Sequence, residues 1–157
     1  MVSGKWKVNF CFHLPLTTYH LPLIFMLNLE IVTPERKVFD ETVDAVTIPT
    51  TNGEIGILPN HAPLISTLKP GILTYSNHGT SERMVVSGGF VEVSENKVSI
   101  LADVAEKADE VNTEAARAER ESSEKILSAW SGTEDEFEVE KERLEKAQAR
   151  LQLVSVK

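Results

Sequence analysis

The sequence predicts a β domain plus an α-helical hairpin: an N-terminal antiparallel β-sandwich or barrel followed by two antiparallel helices. Three observations carry this. Apolar residues recur with a period of two from Leu27 to Asp103, the mark of half-buried strands. Proline disappears after Asp103, where Ala, Glu, Lys, Arg and Leu dominate, as they do in helices. In that helical stretch the lone glycine is Gly132, which marks a single turn between two helices. The expected divisions are 26–105 for the β domain and 106–157 for the hairpin, with residues 1–25 set apart as an N-terminal extension.

The extension is the most apolar part of the chain, with Trp6, Phe10, Phe12, Leu14, Leu16, Leu21, Leu23, Ile24 and Phe25. Pro15, His20 and Pro22 interrupt it, no small-x-small cleavage site follows, and it falls short of the about 20 uninterrupted apolar residues of a membrane span. Neither a secretory signal nor a span fits, and Met26 is the expected genuine start.

Strand patterning then takes over. Leu27, Leu29 and Ile31 share one face, as do Val46 with Ile48 and Val98 with Ile100. Strand ends are expected at Pro34, from Pro49 to Gly53, from Asn77 to Gly79, and at Glu95-Asn96. Between Gly56 and Leu64, Pro59 and Pro63 each fix φ and remove a donor, so this stretch reads as a stiff, extended connection. Lys69-Pro70-Gly71 is a turn, and the rigid loop before it would present Glu54 and His61 for recognition. Gly88-Gly89, inside a strand-like run, reads as a bulge or a close sheet-to-sheet approach rather than a nucleotide loop.

The first helix is expected from Asn112 or Thr113, either of which can cap it, to about Trp130. Ser131-Gly132-Thr133 breaks it. The second starts at Thr133 or Glu134, with Phe137, Leu144, Ala147, Leu151 and Val154 near heptad spacing. So narrow and alanine-rich a stripe buries little surface, so the hairpin needs an external packing partner and is a candidate moving part. Glu121 with Lys125 and Glu142 with Lys146 are spaced as surface ion pairs. Arg143, Lys146 and Arg150 align three cations on one side of the second helix, suited to an acidic surface on a partner.

Composition narrows the function. A chain of 157 residues with 41% hydrophobic and 6% aromatic residues fits one or two small domains with a modest core. A formal net charge of −8 argues against nucleic acid, whose binding needs a basic face, and in favour of protein partners. Cys11 alone forms neither an internal disulfide nor a thiolate metal cluster. No phosphate-binding loop, zinc-protease motif or dinucleotide fingerprint occurs. Ser87 lies in no nucleophile elbow that would join it to His61 and Asp103, and His13, His20, His61 and His78 lack ligand spacing. No catalytic residue, metal or cofactor is expected.

Gly56-Ile57-Leu58-Pro59-Asn60-His61-Ala62-Pro63-Leu64, then Ser87-Gly88-Gly89-Phe90-Val91-Glu92-Val93, then Lys97-Val98-Ser99-Ile100-Leu101-Ala102-Asp103, in this order, closely resemble the epsilon subunit of F-type ATP synthases. The resemblance runs from about Leu27 to Val154. It implies a non-catalytic central-stalk (rotor) subunit of the proton-translocating complex, held peripherally at the cytoplasmic face of a bacterial inner membrane. Its partners would be the gamma subunit, the membrane rotor-ring subunits through Glu54 and His61, and the catalytic-head beta subunit through Arg143, Lys146 and Arg150 when the hairpin is extended. The hairpin would fold against the β domain or extend and block ATP hydrolysis. Some such subunits bind ATP through I/L-D-x-x-R-A at the first helix. Here the stretch is Val111-Asn112-Thr113-Glu114-Ala115-Ala116, with Asn112 and Ala115 in place of the charged pair, so no nucleotide site is expected. A rival reading from the residues alone is a free-standing β-sandwich binding module that dimerises through Phe137, Leu144 and Leu151.

Overall fold

The computed structural model describes residues 26–155, so the expected extension at 1–25 lies outside the described residues. The order is β1 (Leu27–Val32), β2 (Lys37–Val43), β3 (Ala45–Thr50), β4 (Gly53–Ile57), β5 (Leu64–Thr67), β6 (Gly71–Asn77), β7 (Thr80–Ser87), β8 (Phe90–Ser94), β9 (Lys97–Leu101), β10 (Val104–Lys107), α1 (Thr113–Ser128) and α2 (Glu134–Ser155). The strands form two five-stranded sheets, β2-β1-β9-β8-β5 and β10-β7-β6-β3-β4. Pairings are antiparallel except that β1 runs parallel to β9. β10 spans the boundary expected between residues 105 and 106.

Period-two patterning builds the core. Leu27, Leu29, Ile31, Val91, Val93, Val98 and Ile100 turn inward from the first sheet and meet Val46, Ile48, Leu73, Tyr75, Met84 and Val86 of the second. Fully burying a Val, Leu or Ile side chain is worth about 1.5–3 kcal/mol, and non-directional burial of this kind closes the sandwich.

One local expectation is corrected and two are met. The strand end expected from Pro49 to Gly53 falls at Thr50: β3 runs through Pro49, which pairs with Glu54 of β4, and Thr51-Asn52 separates the two strands. The proline is tolerated because β3 has already parted from β6, their register ending at Thr47 and Thr74, so its missing N–H breaks no rung. The stretch from Gly56, by contrast, is not one extended connection. β4 continues to Ile57, and Leu58-Pro59-Asn60-His61 closes a turn in which the His61 N–H donates to the Leu58 carbonyl at 3.1 Å. Asn60 sits at φ 64°, the left-handed position that follows proline in such turns. At Gly88-Gly89 the expected close sheet-to-sheet approach is found: the pair joins β7 of one sheet to β8 of the other, against the Leu101 backbone.

Helix ends follow their capping residues. Asn112 Oδ1 accepts from the Ala115 N–H at 3.0 Å, and α1 stops at Ser128, two residues before Trp130. Thr133 and Glu136 form a capping box at the start of α2: the Thr133 N–H donates to Glu136 Oε2 at 3.1 Å, while the Glu136 N–H points back to Thr133 Oγ1 at 3.5 Å. The Thr133 N–H, joined by the Thr133 hydroxyl donating to the same Oε2 at 3.0 Å, holds the Glu136 carboxyl below the usual carboxylate range. Trp130 meets Phe137 edge-on at 5.6 Å across the turn, so Phe137 is used inside the hairpin.

The hairpin packs on the outer face of the second sheet, with α2 over β6 and β7. There Ala149 and Leu153 cover Val85, bordered by Ile72, Ala108 and Val111. The expected heptad stripe contains neither Ala149 nor Leu153. Because α2 touches α1 on one side and the sheet on another, its apolar band is wider than a single coiled-coil seam.

Candidate functional site

Glu54 and His61 were expected to act together from one loop. β4 places Glu54 one residue past its start, exposed on the outer face of the second sheet, where it lines an open cavity of about 360 Å³ with Thr47, Ile72, Thr74, Arg83 and Gln152. His61 lies beyond the other end of β4, and its Nδ1 is 2.8 Å from the Ala62 carbonyl, to which it donates. The Asn60 N–H donates to Asn96 Oδ1, tying this turn to the β8–β9 turn. The two side chains therefore flank the strand from opposite ends. Beside His61, Leu58 is 62% exposed at the tip of the turn.

The three hairpin cations are not equivalent. Arg150 turns inward and is half-buried between three elements. Its Nη2 and Nε donate to Glu106 Oε1 and Oε2 of β10 at 2.6 and 2.7 Å, and its Nη1 donates to Glu119 Oε2 of α1 at 3.0 Å. The Glu106 hydrogen bond raises the already high pKa of Arg150, so its charge is permanent. Arg143 is exposed, with Nη1 3.8 Å from Glu140 Oε1. Lys146 is partly buried on the same helix. The three cations keep their spacing along one side of α2, but they are engaged differently: two carboxylates hold Arg150, Arg143 is exposed and Lys146 is partly buried.

Two further ion pairs fasten the helical part. Lys69 Nζ lies 3.2 Å from Glu145 Oε1 of α2. Arg36, in the β1–β2 turn, pairs with Glu110 in the segment leading to α1. Glu110 also accepts from the Lys107 N–H at 3.0 Å, and this bond, with Arg36, holds its carboxyl below the usual range. On the helix surfaces the pairs that form are Arg120 with Glu124, Glu138 with Lys141, and Glu140 with Arg143. The expected Glu121–Lys125 and Glu142–Lys146 pairs do not close. Exposed pairs of this kind contribute only tenths of a kcal/mol, so helical spacing alone does not decide which of them forms.

At the stretch compared with the ATP motif, the Asn112 side chain is engaged as helix cap and Ala115 offers no charge. Among the described residues, no group of three or more His, Cys, Asp or Glu is placed to hold a metal ion. No helix there is long and apolar enough to cross a membrane.

Val85, Glu106 and Glu119 were missed in the sequence. Val85 had a signal: Met84-Val85-Val86 is an unbroken apolar run, the pattern of a strand buried on both faces. Glu106 and Glu119 had none, since only the tertiary fold brings them to Arg150.

The described residues thus form a β-sandwich carrying a docked helical hairpin, with the ion pairs of Arg36, Lys69 and Arg150 made between elements. Residues 26–108 match the family described as the beta-sandwich domain of the ATP synthase delta/epsilon chain. The ATP synthase epsilon chain of Desulfitobacterium hafniense (strain Y51) is 50% identical over 105 residues, covering 67% of this chain and 80% of that relative. That of Herpetosiphon aurantiacus is 44% identical over 131 residues, covering 83% and 96%. A chain in the structure of the Euglena gracilis mitochondrial ATP synthase, comprising OSCP, F1 and c-ring, superposes with a TM-score of 0.69 at 26% identity, covering 85% of this chain and 82% of that one. The chain belongs to the epsilon-chain family of the F-type ATP synthases. It is accordingly a stalk subunit of the synthase complex and not one of its catalytic chains.

Proposed function

We propose that this chain links the gamma subunit to the membrane rotor ring, so that proton-driven rotation reaches the catalytic head, and that its hairpin restrains ATP hydrolysis on leaving the sandwich. The observation that supports this most is the way the hairpin is held. Its apolar contact with the sheet is a small cluster of Val85, Ala149 and Leu153, separate from the main core. A sandwich with a complete core of its own survives hairpin release, which is what a two-state element requires. The sandwich, through β10, would anchor and the hairpin after it would restrain, at the cytoplasmic face of a bacterial inner membrane.

In this reading Glu54 and His61 face the ring, and Arg143, Lys146 and Arg150 meet the catalytic-head beta subunit in the extended state. Arg143→Ala with Lys146→Ala tests the head contact while sparing the inward Arg150. ATP hydrolysis by the assembled complex should rise, and an unchanged rate would refute the contact. Glu54→Ala with His61→Ala should lower ATP-driven proton pumping at unchanged hydrolysis. Full pumping in that variant would remove both residues from the ring interface.

A further inference from the structure

We propose that Glu106 and Glu119 form an internal latch on Arg150, one that holds the hairpin against the sandwich by occupying the same guanidinium that the extended state needs. This rests on the reading of the hairpin as a movable restraint and specifies how its movement is controlled. Among the described residues, Arg150 is the one hairpin cation that reaches a carboxylate on the sandwich and another on the companion helix. Glu106 grips it bidentately through both oxygens, the strong geometry for a guanidinium, and Glu119 takes a third donor from the other side.

Position gives the cluster leverage. Glu106 lies on β10, the edge strand of the second sheet and the last element before the hairpin, while Arg150 is near the end of α2. Lifting α2 from the sheet therefore breaks the bidentate pair at the same time as it uncovers Val85. The Arg150 side chain is 18% exposed, against 49% for Lys69 in the Lys69–Glu145 pair, so its interactions are less screened by water and salt. Left without carboxylates while still half-buried, Arg150 would be an uncompensated charge; the compact state needs Glu106 and Glu119 as much as they need Arg150.

The consequence is mutual exclusion. While Glu106 and Glu119 fill the guanidinium fork, Arg150 offers nothing to an acidic surface on a partner. An incoming carboxylate surface must displace the internal pair, so exchange of partners, not creation of a new charge, moves the hairpin. Removing the internal carboxylates favours the extended state while leaving Arg143, Lys146 and Arg150 in place to act there.

The test uses the full chain with Glu106→Gln and Glu119→Gln, which keep side-chain size. Labels at Glu92→Cys, on the far sheet, and Ser131→Cys, at the hairpin turn, with Cys11→Ser, report the distance between hairpin and sandwich by energy transfer. The open population should rise about ten- to a hundredfold, the shift expected on losing several charge-assisted hydrogen bonds. The triple exchange Glu106→Lys, Glu119→Lys, Arg150→Glu should restore the closed population, which a merely misfolded variant would not do. An unchanged open population in the double glutamine variant would overturn the latch. In the assembled complex the same variant should hydrolyse ATP more slowly. If the hairpin opens but hydrolysis does not fall, the latch stands and the restraint reading fails instead.

Discussion

Replacing Gly89 with alanine should unfold the sandwich far more readily than the same change at Gly79, although the two backbones are nearly alike. Gly89 has φ +84° and Gly79 φ +80°, so each alanine bears a similar left-handed penalty of about 1–2 kcal/mol. Their surroundings differ. A Cβ at Gly79 meets nothing within 4 Å, whereas at Gly89 it would overlap the Leu101 carbonyl oxygen, sit 2.9 Å from that carbonyl carbon and 3.2 Å from Ala102 Cα. These are backbone atoms of β9 and its exit, which cannot rotate aside as a side chain would. The Gly89 carbonyl also accepts from the Leu68 N–H at 3.0 Å, pinning the crossing from a second direction. Forcing backbone to yield adds about 1–3 kcal/mol, as for an overpacked core, giving about 2–5 kcal/mol at Gly89. Against a total stability of about 5–15 kcal/mol this loss is large. Urea titration followed by far-ultraviolet circular dichroism measures both variants. A Gly89→Ala midpoint no lower than that of Gly79→Ala would refute the close approach as the reason for glycine there.

Other outcomes follow from the same geometry. Ser123 is 0% exposed and its hydroxyl has no hydrogen-bond partner, so Ser123→Ala should leave hairpin stability unchanged or raise it by up to about 1 kcal/mol in thermal denaturation. Lys37 and Lys97 both bond Glu30 and lower its carboxyl from 4.5 to about 2. A depressed carboxylate stabilises the fold above its unfolded pKa and loses that contribution as pH falls toward its folded value. Unfolding free energy of the native chain should therefore drop between pH 4.5 and about 2 more steeply than that of Glu30→Gln, and parallel curves would remove Glu30 from the acid response. Equilibrium titration with ATP should show no micromolar binding, given Asn112 and Ala115 at the first helix; saturation in that range would overturn the assignment.

Much of the fold was legible because its signals are local. Alternation placed Leu27, Leu29, Ile31, Val98 and Ile100 in the core, Asn112 capped the first helix, and Gly132 lay in the break. The end of β3 within the stretch from Pro49 to Gly53 was legible too, while the passage of the strand through Pro49 depends on the β6 rung that is absent there. Glu54 and His61 were close in sequence yet fall at opposite ends of β4, since six intervening residues of partly extended chain carry them apart. Arg150 read as surface charge by its helical spacing. Its actual partners come from residues 44 and 31 positions earlier in the chain, separations that periodicity does not register.

Co-purification of residues 26–157 with a co-expressed gamma subunit, followed by ATP hydrolysis by the catalytic head with and without the chain, tests the central assignment most directly. A stable complex that slows hydrolysis is the predicted result. Failure to associate with gamma, with hydrolysis the same in both samples, would contradict it.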